Sequence, residues 1–346
     1  MNLYRRLVIA SLLLTLVVVV FGAYVRLADA GLGCPDWPGC YGKLTPTQAA
    51  EQIHEAYSAD PYGPVSMRKA WKEMIHRYLA SGLGFMIILI TALAWRHRRQ
   101  AGAAPVAAGL LLGVVIFQGM LGMWTVTLLL KPAIVTAHLI GGMTVLGLLA
   151  WLSMRALSVP RAEVSPGVVL LSWLAFAALA VQIALGGWVS TNYAALACTD
   201  FPTCHGSWWP EADYSNAFHI VRELGMTAEG ELLSHEALTA IHWMHRVGAL
   251  TAGGLLFALA WVLSRRQATQ GLGIALLAAV VLQVLIGVAN IIFSLPLWLA
   301  AAHNAGAALL VVVMVCISSR LGLAASPADA GQRLSGLGRV DQPQAR

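Results

Sequence analysis

The sequence predicts an all-α membrane protein whose eight transmembrane helices form two pseudo-twofold-related four-helix bundles. Three observations carry this expectation. The 346-residue chain is 58% hydrophobic and only 11% charged, against roughly half and roughly a quarter in soluble domains. Apolar runs of about 20 residues, enough to span a hydrocarbon core, recur along its length. The chain also repeats itself: "GAYVRLADAGLGCPDWPGCYG" (22–42) aligns with "GGWVSTNYAALACTDFPTCHG" (186–206), an offset of 164 that carries Cys34 to Cys198, Asp36 to Asp200, Pro38 to Pro202 and Cys40 to Cys204.

The spans are read at 7–25, 73–95, 106–129, 133–154, 167–190, 238–262, 271–294 and 298–319. The first follows a basic "MNLYRR" and precedes a leader-like "ADA". Its apolar run is longer than the roughly 7–15 residues of a signal core, so it is read as a retained helix. Arg5, Arg6, "WRHRRQ" (95–100), Arg155, Arg161, "SRRQ" (264–267) and Arg320 flank one side. The positive-inside rule makes that side cytoplasmic, with both termini there. The opposite loops hold most of the acids, among them Asp36, Glu51, Glu55, Asp200, Glu211 and Asp213. The net charge of +6 is spread over the inner flanks, with no nucleic-acid patch. Residues 1–160 are expected to form the first bundle, 161–324 the second, and 325–346 a disordered cytoplasmic tail.

Further pairs keep register. Gln118 falls on Gln283 and His138 on His303 at an offset of 165, and His76-Arg77 on His245-Arg246 at 169. Four spans per half, in the same order and orientation, imply an axis along the membrane normal.

Each half carries a C-x5-C pair in an outer loop, Cys34/Cys40 and Cys198/Cys204. A structural disulfide is one reading, helped by the turn-forming Pro35, Pro38 and Gly39; a redox-active thiol pair and a metal site are the others. Cys316 reads as a small buried residue. His54, His97, His205, His219 and His235 read as solvated loop or flank residues. His76, His138, His242, His245 and His303 lie within or at the edge of spans, where an ionisable group is costly and marks a functional site. The matched four, His76, His138, His245 and His303, counted from Trp71, Pro132, Leu238 and Pro296, sit roughly 7–11 Å below the outer ends of their helices. Two facing imidazoles per bundle, with no thiolate beside them, do not complete a zinc tetrahedron. They do supply the axial ligands of a haem, which brings its other four nitrogens itself. Arg77 and Arg246 follow a ligand directly and suit a propionate or, alternatively, lipid head groups.

Glu73 lies one helical turn before His76 on the same face, and the repeat puts His242 in its place before His245. A carboxylate beside one iron site and an imidazole beside the other is a chemical difference between the halves. The first fits oxidation at an electron-poor carbon or proton uptake. A helix-start acid favoured by the macrodipole is the plainer reading of Glu73.

"GAYVRLADAGLGCPDWPGC", "EMIHR", "TAHLIGG", "IHWMHR" and "AAHNAGA" together resemble the haem A synthase family over residues 5–320. The resemblance implies an eight-span oxidoreductase that converts the C8 methyl of haem O to a formyl group, giving haem A for terminal oxidases. It also implies His76 and His138 as ligands of the substrate haem, His245 and His303 as ligands of a haem b cofactor, Glu73 as catalytic, and a Cys34–Cys40 pair. Haem O synthase, terminal-oxidase assembly, an unidentified electron-transfer partner and membrane lipid are the expected partners; self-association is left open. Two other classes remain: a dihaem cytochrome for electron transfer, and a haem carrier without chemistry. Neither His242 nor the long outer loop 205–236 receives a role from the sequence.

Overall fold

The structure, a computed structural model, describes residues 2–100 and 102–323; the tail expected at 325–346 lies outside the described residues. Among the described residues, eight helices are long and apolar enough to cross a membrane. They are α1 (Asn2–Leu27), α3 (Met67–Arg96), α4 (Pro105–Thr127), α5 (Pro132–Ala156), α6 (Pro166–Thr191), α8 (His235–Ser264), α9 (Gln270–Ile292) and α10 (Leu297–Arg320). Short outer helices α2 (Ala50–Ala59) and α7 (Tyr214–Ala217) lie between them. Proline opens α4, α5 and α6, where its missing N–H leaves no bond unmade. Two three-residue strands depart from a purely helical chain: β1 (Ala162–Val164) and β2 (Leu321–Leu323) pair in parallel, tying the linker between the halves to the exit of α10.

In the first half α1 packs on α3 and α5, and α4 on α3 and α5; in the second, α8 packs on α6 and α9, and α10 on α9 and α6. Between the halves α1 meets α10, α5 meets α6, and α5 meets α10. The repeat exchanges the first two of these contacts and returns the third to itself, as a twofold relation requires. The buried core follows the same plan. Val8, Ile87, Leu111 and Leu149 fill the first half. Leu179, Leu259, Leu276 and Met314 fill the second, with Met143 and Leu146 of α5 reaching across. Leu13, Phe85, Ile116, Leu170, Leu250 and Leu285 are exposed. On transmembrane helices that exposure faces lipid and costs nothing.

Helices α3 and α8 begin earlier than the apolar runs suggest. Ser66 and Ser234 cap them by accepting the N–H groups of Lys69 and Ala237. His76 and His245 therefore sit roughly 14 and 15 Å from the helix starts, against roughly 9 Å for His138 and His303. The uniform shallow depth expected from the apolar runs is corrected accordingly: the extra turn projects outward and carries the cysteine loops.

Near the pseudo-axis, on the outer side, Arg26 donates to the Tyr193 hydroxyl at 2.9 Å and to the Ser190 carbonyl at 3.0 Å, while Tyr193 donates to Asp29 at 2.8 Å. The repeat places Ser190 at the position of Arg26 and Tyr193 at that of Asp29. Burial raises the Tyr193 phenol above its ordinary value. The long loop 205–236 is pinned by Arg222, which is buried. Its guanidinium donates to Asn192 at 2.6 Å and to the carbonyls of His219 and Met226, and lies over the Trp188 ring. Lys131 pairs with Glu223 of the same loop at 2.7 Å.

Candidate functional site

The site is assembled from the outer loops inward. Cys34–Cys40 and Cys198–Cys204 are both disulfides. Inside each ring an aspartate brackets the turn. Asp36 accepts from the N–H groups of Tyr41 (2.6 Å) and Gly42 (2.7 Å), Asp200 from those of His205 (2.7 Å) and Gly206 (3.0 Å). These amides are aligned because Tyr41 and His205 adopt left-handed backbone and glycine follows each. The Thr203 hydroxyl and the Gly206 N–H hold the Asp200 carboxyl well below the ordinary carboxylate range.

Each loop is then clamped to the helix below. In the first half the Cys34 N–H donates to one oxygen of buried Glu73 at 3.0 Å, and Arg77 pairs with the other. Arg77 also donates to the carbonyls of Asp36 (2.9 Å), Pro38 (3.2 Å) and Gly39 (2.6 Å). In the second half the Cys198 N–H faces Nδ1 of His242 at 3.2 Å, and the Arg246 Nε–H faces its Nε2 at 3.3 Å. Arg246 donates further to the carbonyls of Cys198, Asp200 and Thr203. The two arginines thus spend their donors on loop carbonyls and on residue 73 or 242. In this structure both arginines clamp the cysteine loops. His242 acquires the place in the fold that the sequence left open.

Beneath the clamps lies one cavity of about 1450 Å³, lined by residues of both halves. His76, His138, His245 and His303 all line it, with Glu73, His242 and both arginines at its outer end. Within each half the two imidazoles lie in electrostatic reach of each other. Every ring rests on a glycine of the neighbouring helix. A methyl at Gly22 would stand 2.7 Å from His76 Cε1; at Gly122, 3.3 Å from His138; at Gly186, 3.0 Å from His245; and at Gly287, 3.1 Å from His303. Glutamines brace the backbone behind the rings: Gln118 donates to the His138 carbonyl at 2.6 Å and Gln283 to that of His303 at 2.9 Å. Both are seated against glycines, Gly141 and Gly306, where a Cβ would come within 2.1 and 2.0 Å of the amide oxygen. Gln118 and Gln283 keep register in the sequence repeat at an offset of 165.

These features fit haem. Drug-sized ligands occupy cavities of roughly 300–1,000 Å³, and this one is larger. It is walled mostly by apolar side chains and presents two repeat-related pairs of imidazole nitrogens. The Nδ1 atoms of His76, His138 and His303 are buried without a protein partner, and buried polar atoms of this kind call for a bound group or an ordered water.

The sequence matches the COX15-CtaA family, described as "Cytochrome oxidase assembly protein", over residues 5–315. The chain belongs to this family. It is 43% identical over 314 residues to "Heme A synthase" of Shewanella oneidensis, covering 89% of this chain and 93% of that protein. It is 28% identical over 335 residues to "Heme A synthase" of Sphingopyxis alaskensis, covering 90% of each. A third relative of the same name, from Halalkalibacterium halodurans, is 27% identical over 238 residues, covering 66% of this chain and 72% of its own length.

Proposed function

We propose that this membrane oxidoreductase is a haem A synthase, converting haem O to the haem A used by terminal oxidases. The observation that carries this reading is the cavity with four imidazoles in two repeat-related pairs, found in a chain similar along most of its length to proteins of that name. The dihaem-cytochrome and carrier alternatives account for the histidines and for Glu73 as a loop clamp, but give its carboxylate no chemical role.

In this reading residues 1–160 hold the substrate haem through His76 and His138, and residues 161–324 hold haem b through His245 and His303. The bound haems supply redox-active iron and, in the first half, the C8 methyl that is oxidised. The chain does the rest. Glu73 keeps a carboxylate at the outer end of the cavity, in position to take up a proton or stabilise positive charge, while Arg77 and the Cys34 N–H fix its direction. The disulfide loops cover the outer end and keep bulk water from the reacting carbon. Arg77 and Arg246 act as clamps, and any propionate contact shares their donors with loop carbonyls. Both termini are assigned to the cytoplasmic side of a bacterial inner membrane, with haem O synthase, terminal-oxidase assembly and an electron carrier as partners.

The test is pigment analysis of the purified protein after expression with a source of haem O. Haem A in the extract, with haem b retained, is the expected result. Absence of haem A from a protein holding both haems would leave the cytochrome reading in its place.

A further inference from the structure

The four histidines are not braced alike. Three glutamines stand behind them, and Gln182 has no counterpart in the other half. Its amide nitrogen donates to the His245 carbonyl at 3.0 Å and lies 3.0 Å from Nδ1 of the same residue. Its amide oxygen is buried without a partner. Gly248 makes the room, since a Cβ there would stand 2.3 Å from that oxygen. The repeat carries Gln182 to Val18 and Gly248 to Leu79. In the first half, therefore, an apolar pair fills the space that an amide and a glycine share in the second. Val18 is buried in the first-half core with Leu79 packed beside it, and His76 Nδ1 is left without a partner. Of the four imidazoles, His245 alone has a side-chain partner at Nδ1.

We infer that Gln182 is a positioning residue that braces His245 and makes the second-half haem the retained one, whereas the unbraced His76 leaves the first-half haem exchangeable. This rests on the reading of the two histidine pairs as haem sites. An imidazole that coordinates through Nε2 carries its proton on Nδ1. Turning the terminal amide of Gln182 exchanges its bond to the His245 carbonyl for one in which its orphaned oxygen accepts that proton. Such a bond fixes the ring and strengthens it as a donor, and loss of a partner of this kind typically costs about 10–100-fold in metal affinity. A cofactor has to stay, while a substrate and its product have to come and go; the two environments divide along that line.

The experiment uses the full-length protein loaded with both haems and follows transfer of each haem type to excess apomyoglobin, with a redox titration of the b-type haem. Gln182→Val, and Gln182→Val with Gly248→Leu to reproduce the first-half pair and guard against a cavity, are expected to release b-type haem about tenfold faster. Because the brace strengthens the imidazole as a donor and so favours the ferric iron, the midpoint potential is expected to rise, by about 59 mV for a tenfold loss borne by the ferric form. The reciprocal Val18→Gln, Leu79→Gly variant is expected to slow release of the O- and A-type haem. Wild-type release rates and an unchanged potential in both Gln182 variants overturn the inference while leaving the haem sites intact. Faster release at an unchanged potential also overturns it, since packing alone would then explain the loss. A wild-type protein that holds no b-type haem overturns the inference and the site assignment together.

Discussion

At position 73 a carboxylate receives the Cys34 N–H on one oxygen and the Arg77 guanidinium on the other; at position 242 an imidazole faces the equivalent donors, Cys198 N–H and Arg246. A carboxylate accepts both, whereas a neutral imidazole has one acceptor nitrogen and satisfies one of them. The mechanical task is shared and only the chemistry differs, which separates a catalytic contribution of Glu73 from its role in holding the loop. Glu73→Gln keeps one acceptor oxygen and the shape while removing the charge. Haem A yield is expected to fall by about 10²-fold or more, the usual scale for a lost acid–base group, with both haems still present by pigment extraction. Gly22→Ala acts on the ring itself. A methyl 2.7 Å from His76 Cε1 displaces the imidazole, so first-half haem occupancy is expected to drop with b-type haem unchanged. The sequence singled out these histidines and Glu73 because polar residues are conspicuous in apolar spans. It gave no warning of the glycine cradles, because a glycine in a membrane helix is common and its purpose depends on which neighbour it faces.

Elements show the same logic in their ends and seams. The apolar runs located all eight membrane helices but placed the starts of α3 and α8 late, since the first turns, "MRKAWK" and "HEAL", project from the apolar region and are held by serine caps. Those projecting turns meet the cysteine loops, whose compactness depends on Asp36 and Asp200. The Asp200 carboxyl is depressed in the folded protein, so its contribution is present above its ordinary value of 3.8 and is lost as the pH falls further. Amide protection at His205 and Gly206, corrected for intrinsic exchange, is expected to hold at neutral pH and decline only in strong acid. The helix seam α9–α10 yields a different outcome. Gly306→Ala forces a Cβ against the Gln283 amide. It is expected to lower b-type haem content, and Gly141→Ala, at the equivalent seam against Gln118, to lower O- and A-type haem, measured by the same extraction.

For the whole molecule, the two halves meet through α1, α5, α6 and α10, and loop 205–236 adds a strap over the outer side. Its charged contacts differ greatly in weight. Lys131–Glu223 is solvent-exposed, with side chains 35% and 60% accessible, and such pairs contribute about 0–1 kcal/mol. Arg222 is buried and places its donors on Asn192, His219 and Met226, and each hydrogen bond to a charged group is worth about 1.5–3 kcal/mol. Arg222→Ala is therefore expected to lower the thermal unfolding midpoint clearly and Lys131→Ala hardly at all, as read by unfolding in detergent. The loop had no interpretable pattern in sequence, because its anchor works through carbonyls and a tryptophan face brought together only by the fold.

Arg26 and Asp29 reach across to Ser190 and Tyr193, the residues that stand in their own places in the other half. In a homodimer of identical four-span subunits, that central junction and both ligand sets would be bound to one common sequence. A single polypeptide carrying both units, stitched through β1 and β2, is free of that bond: Val18 and Gln182, or Glu73 and His242, can be chosen separately. Joining the copies end to end is what permits one histidine pair to specialise without disarming the other.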